Sequence, residues 1–98
     1  MIAYLVEFLG TLLLASVFIS TGRPVYIALA LFLAIFVGGS ISGGHFNPAV
    51  SFMFWIRGTL TSSDFLGYIV AQLLGGAGAI AAYRMFIRDA LNKANVLS

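Results

Sequence analysis

The sequence predicts an all-α integral membrane protein with three transmembrane helices and one short re-entrant helix. Three observations carry this. Hydrophobic residues fill 61% of the 98 positions and charged residues only 8%, with a mean hydropathy of +1.07. A soluble domain of this size could not cover so much apolar surface, whereas lipid solvates it. The apolar residues fall into three long spans, and between the second and third the run Ser42-Gly43-Gly44-His45-Phe46-Asn47-Pro48-Ala49-Val50-Ser51 breaks with glycines and restarts at a proline.

Ile2–Ser20 is long enough to cross roughly 30 Å of hydrocarbon. It is not read as a signal peptide, because no basic segment precedes it and Glu7 interrupts it. Thr21-Gly22-Arg23-Pro24 is a tight turn built from two helix breakers. Val25–Ile41 is a second, uncharged span, and Ser42–Phe46 a glycine-rich loop. Asn47 suits an N-cap and Pro48 a first helical position, so a short helix is expected over Asn47–Ile56 within a loop-and-helix unit at 42–57. About ten residues cannot cross a bilayer, so this helix is expected to enter and leave on one side. A helix that starts inside a membrane aims its N-terminus at a cavity. Arg57–Asp64 returns the chain to water, and Asp64 is the expected N-cap of a third span over Phe65–Ile87. Arg84, Arg88 and Lys93 close the apolar region, with a frayed tail expected over Leu91–Ser98. The start at Met1 and the polar tail are those expected of a whole chain.

Irregular backbone at membrane depth is tolerated only against protein or a water-filled cavity. Three spans shelter such a loop on one side only, so a partner surface is expected. Gly67, Ala71, Gly75 and Ala79 recur every fourth residue, and small residues at that spacing let helices approach closely. Ala3, Glu7, Thr11 and Ala15 form a similar ridge in the first span. Both ridges are open to two readings, packing within the chain or against a partner.

Other function classes are excluded or disfavoured. There is no cysteine and a single histidine, so no metal site is expected, and no cofactor-binding motif is present. The net charge of +2 is scattered and forms no basic stripe for nucleic acid. An enzyme is not expected without a nucleophile–base pair.

The run Ser42–Ser51 resembles the first-half signature of the aquaporin and glycerol facilitator family. Glu7-Phe8-Leu9-Gly10-Thr11 is similar to that family's first-helix pattern, and Ala71-Gln72-Leu73-Leu74-Gly75-Gly76 to its third. The three motifs occur in the family's order over nearly the whole chain. Family members carry two inverted halves, each with three spans and a half-helix, and this chain has one. The resemblance therefore implies a half-aquaporin whose pore is completed by an inverted second chain. It implies passive passage of water or small neutral solutes such as glycerol. Fused relatives form tetramers of pores, and the same arrangement here would need twice as many chains.

The resemblance also implies residue roles. Gly43, Gly44, His45 and Phe46 would line the file through their carbonyls, together with Asn47, Pro48, Ala49 and Val50. Asn47 would donate a hydrogen bond into the lumen while its side-chain oxygen caps the helix. Half-helix N-termini carry partial positive charge and oppose cations, which disfavours an ion channel. Glu7 would accept hydrogen bonds from loop N–H groups as a scaffold, with proton conduction as the alternative. Gln72 would tie helices together, with a lumen contact as the alternative. Val50 stands where water-selective relatives place an arginine in their second half. Ile27 and Ile35 fall near the other filter positions, so the expected constriction is apolar and admits glycerol.

The charges point another way on orientation. Arg57 lies on the side of the N-terminus, and Arg23, Arg84, Arg88 and Lys93 lie on the other. The positive-inside rule puts the second side in the cytoplasm, whereas first halves of the family enter with the N-terminus inside. The two arguments reconcile if the chain inserts both ways and pairs with itself as antiparallel homo-oligomers. They also reconcile if a complementary half-channel subunit exists. The expected location is the plasma or inner membrane. The competing function is a non-conducting membrane module that pairs with or regulates another channel subunit.

Overall fold

A computed structural model describes residues 1–97, with the side chains of 1–94. Five α-helices account for nearly all of it: α1 (Ile2–Thr21), α2 (Pro24–Ser42), α3 (Pro48–Ile56), α4 (Ser62–Ala82) and α5 (Arg88–Leu97). A π-helical turn at Tyr83–Ile87 joins α4 to α5 without a break. Three helical stretches are long and apolar enough to cross a membrane: Ile2–Thr21, Pro24–Ser42 and Ser62–Ala94. α3, at nine residues and about 14 Å, is not.

Local chemistry sets the breaks. Gly22 ends α1 with its N–H on the Phe18 carbonyl, and Pro24 opens α2 at a position that needs no N–H donor. Gly43 closes α2 at φ 89° and Gly44 follows at φ 66°. Glycine takes up such left-handed backbone without a steric cost, so the chain can turn sharply here.

The start of α4 differs from the expected one. Thr61, not Asp64, is the N-cap, and its hydroxyl accepts from the Asp64 N–H at 3.1 Å. The Thr61-x-x-Asp64 spacing favours this, since a capping oxygen bonds the N–H three residues on. Asp64 is then free to accept from the Tyr4 hydroxyl of α1 at 2.6 Å. The expected frayed tail is also corrected. The helix runs on to Leu97, and Ser98 lies outside the described residues.

α1 packs against both α2 and α4, and α3 packs against α4. The contact with α4 is close because Gly75 meets α1 backbone. A Cβ there would lie 2.8 Å from Thr11 Cβ and 2.9 Å from the Phe8 carbonyl oxygen. Gly67 accommodates the Tyr4 ring, and Ala71 and Ala79 are buried. The ridge Gly67, Ala71, Gly75, Ala79 is thus spent on packing within the chain. The outer faces remain apolar, with Phe36 and Val37 of α2 77% and 73% exposed, as a lipid-facing surface requires.

α3 folds back on α4 as a hairpin around Gly58. Trp55 stacks on Phe65 with ring centroids 4.8 Å apart, and its indole N–H donates to Ser62. The Arg57 guanidinium lies 5.0 Å from the Phe54 ring centroid, a cation–π contact that closes the end of α3.

Candidate functional site: a glycine loop anchored on a buried glutamate

The loop between α2 and α3 is held from beneath by Glu7, which is fully buried. Its two carboxylate oxygens accept four hydrogen bonds. Oε2 takes the Ser42 hydroxyl at 2.7 Å and the His45 N–H at 3.0 Å. Oε1 takes the Phe46 N–H at 2.8 Å and the Gln72 amide at 3.0 Å. A carboxylate offers about four lone-pair sites, so this one is filled by donors from α2, the loop and α4. Burying a bare acidic group would be costly, and these bonds offset that cost.

Gln72 extends the network. Its second amide proton goes to the Ser51 hydroxyl at 2.9 Å, and Ser51 lies 2.8 Å from His45 Nδ1. Since Ser51 accepts from Gln72, its own proton is available to Nδ1, which fits the Nε2–H form of His45. The His45 ring is stacked on Phe54 at 4.7 Å and edge-on to Tyr68 at 5.0 Å. Tyr68 in turn donates to the Ser42 carbonyl at 2.6 Å. Among the described residues the Gln72 carbonyl oxygen and the Thr11 hydroxyl, both buried, have no hydrogen-bond partner.

Phe46 is in left-handed backbone at φ 51°. For a bulky residue this costs roughly 1–2 kcal/mol. Its N–H bond to Glu7 helps to hold it there, and so does its ring, buried against Gly10 of α1 and near Gly38 of α2. The next residue, Asn47, is extended at φ −159° and caps α3 by accepting from the Ala49 N–H at 2.8 Å. Asn47, Pro48 and Ala49 are exposed and Val50 is half-buried, so the N-terminal end of α3 is open. His45 and Phe46 are buried, with their side chains turned into the protein.

The structure therefore brings Glu7, Gln72, His45 and Phe46 together behind an exposed Asn47. Ile35 also sits near the loop, since a Cβ on Gly44 would lie 3.3 Å from Ile35 Cγ1. Ile27 lies eight residues back along α2, about 12 Å from Ile35, and is not brought to the loop. Among the described residues no group of three His, Cys, Asp or Glu side chains is placed to hold a metal ion. Ser42, Ser51 and Tyr68 were not singled out from the sequence. Ser51 lies one turn after Asn47, and Tyr68 one turn before Gln72, so helical spacing was the available signal.

Three apolar helices around a polar-anchored glycine loop define an integral, multi-pass membrane protein. Comparison with known proteins makes the assignment specific. The pattern of the family described as Major intrinsic protein matches residues 20–97. The chain is 45% identical over 93 residues to Glycerol uptake facilitator protein-like 6 of Lactiplantibacillus plantarum, covering 86% of this chain and 43% of that protein. It is 37% identical over 98 residues to Aquaporin TIP2-1 of Arabidopsis thaliana, covering 79% and 38%. Over 52 residues it is 54% identical to Aquaporin TIP1-2 of Zea mays, covering 53% and 20%. No solved structure matches. The chain belongs to the major intrinsic protein family, whose members are membrane channels and not enzymes. It spans less than half the length of these curated relatives.

Proposed function

We propose that this chain is one half of a passive channel for water and small neutral solutes such as glycerol. The observation that carries the reading is the open N-terminal end of α3, with Asn47 exposed at its tip and the loop behind it anchored on Glu7. A helix end with partial positive charge and an exposed Asn47 amide suits a lumen that passes neutral hydrogen-bonding solutes and opposes cations. In this reading α3 is a re-entrant half-helix. Gly43, Gly44, His45 and Phe46 line the path through their backbone, followed by Asn47, Pro48, Ala49 and Val50. Glu7 and Gln72 hold the loop in shape.

The lumen needs a second wall. An inverted half, either another copy of this chain or a complementary subunit, brings a second half-helix to face the first near the midplane. Such pairs assemble as a tetramer of pores in the cell membrane. The filter carries Val50 and Ile35, with Ile27 further along α2, and no arginine. It passes glycerol as well as water.

The test is stopped-flow shrinkage of proteoliposomes containing only the purified chain, with Asn47→Asp as control. Flux well above bare lipid and reduced in the variant supports a pore formed by self-pairing. No flux above bare lipid contradicts self-pairing and directs the search to a complementary subunit or to a non-conducting regulatory role.

A further inference from the structure

Phe46 combines three features that packing alone does not require. Its backbone is left-handed, a conformation that bulky residues avoid. The residue is 4% exposed, with its ring wedged against Gly10 of α1 and near Gly38 of α2. A Cβ on Gly10 would overlap the ring edge, and one on Gly38 would lie 3.7 Å from its tip. Finally, the ring borders a groove of about 280 Å³ between α1 and α2, lined also by Val6, Leu33, Ala34 and Val37. Gly10 and Gly38 line the same groove, so the ring is seated at the α1–α2 crossing where it meets this space.

We propose that Phe46 is the positioning residue of the pore loop. The ring, seated on Gly10, holds the left-handed turn from which Asn47 emerges, and so sets the direction of the Asn47 side chain and the width of the path beside it. The proposal rests on the pore reading above and assigns to the α1–α2 crossing a control over which solute passes. Strained backbone persists where its surroundings over-determine it, and here they do so immediately before the residue at the tip of α3. The contact links residues 36 positions apart, from Gly10 to Phe46, so a change within α1 is felt at Asn47 without touching it.

The experiment compares Gly10→Ala, Phe46→Leu and the double variant in phosphatidylcholine vesicles, reading glycerol and water permeability per reconstituted chain. Each single variant is expected to shift the glycerol-to-water ratio about threefold or more, and the double to return within about twofold of the unmodified chain, because the shorter side chain vacates the space the new methyl takes. Parallel loss of both permeabilities with the ratio unchanged would mean a merely structural role and would overturn the proposal. So would additive shifts in the double variant. The chain has no cysteine, so Ala49→Cys added to each variant gives a second reading by maleimide labelling rate. If the unmodified chain carries no flux, self-pairing fails on its own. In that case labelling altered in Gly10→Ala and restored in the double still upholds the positioning role, and labelling equal in all variants overturns it.

Discussion

The carboxylate of Glu7 and the backbone N–H of Phe46 lie 2.8 Å apart, across 39 positions of sequence. With the His45 N–H on the other oxygen, one side chain of α1 satisfies two consecutive amides of a loop that belongs to no helix. Glu7→Gln keeps the shape but replaces one acceptor with a donor. The Ser42 hydroxyl can turn to accept, and the His45 N–H is left without an acceptor. The expected loss is about 1–3 kcal/mol of stability. Thermal unfolding in detergent reads it, with faster amide exchange at His45 than elsewhere in the loop. Unchanged exchange at His45 would mean that Glu7 does not hold the loop.

Gln72 and Ser51 are expected to act as a unit. The 2.9 Å bond between them ties α4 to α3 and fixes the partner of His45. In a cycle of Gln72→Leu, Ser51→Ala and the pair, the coupling should be about 0.5–3 kcal/mol, the range for residues sharing a network. A coupling near zero in denaturant or thermal unfolding would argue that the bond contributes nothing to the fold.

Adjacent glycines of α4 make opposite predictions. A methyl on Gly75 runs into the backbone of α1, whereas Gly76 has open space around it. Gly75→Ala should destabilise by about 1–3 kcal/mol through overpacking. Gly76→Ala should stabilise by up to about 1 kcal/mol, the difference in helix propensity. The midpoint of thermal unfolding is thus expected to fall in one and hold or rise in the other, and a shift in the same direction for both would contradict the packing of α1 on α4.

If the apolar filter admits glycerol, Val50→Arg should remove that tolerance. A fixed guanidinium at the mouth narrows the path and presents donors that water satisfies more readily than a polyol. Glycerol permeability is expected to fall roughly tenfold more than water permeability in proteoliposomes. Equal losses would place Val50 away from the constriction.

Much of this was legible in the sequence, and the reason is that membrane physics is written in composition. The three long helices follow from apolar run length, and the break before Pro48 from Gly43, Gly44 and the Asn47-Pro48 pair. Glu7 stood out because an acidic residue inside a span needs a partner. What the residues did not disclose was geometry between helices. Nothing in the spacing of Gly10, Gly38 and Phe46 announces that one ring joins them. Asp64 was read as a cap by residue type, but Thr61 offers the same chemistry three positions earlier, and the contact of Asp64 with Tyr4 is visible only once α1 and α4 are packed. Ser51 was hidden by its surroundings, since a hydroxyl in an apolar helix has no signature until its neighbours are known.

The four bonds at Glu7 also order events in time. As the chain is synthesised, α1 emerges before the loop and α4 and carries its carboxylate towards the bilayer with none of these donors yet made. Ser42 and the His45 N–H follow 35 and 38 residues later, and Gln72 only after 65. Early in biogenesis α1 is therefore a poor resident of lipid, one that lingers near water or the insertion machinery until α4 arrives. Assembly is sealed from α4 backwards. A substitution at Gln72 is then expected to appear as slow or incomplete insertion of α1, far earlier in the sequence than the lesion itself.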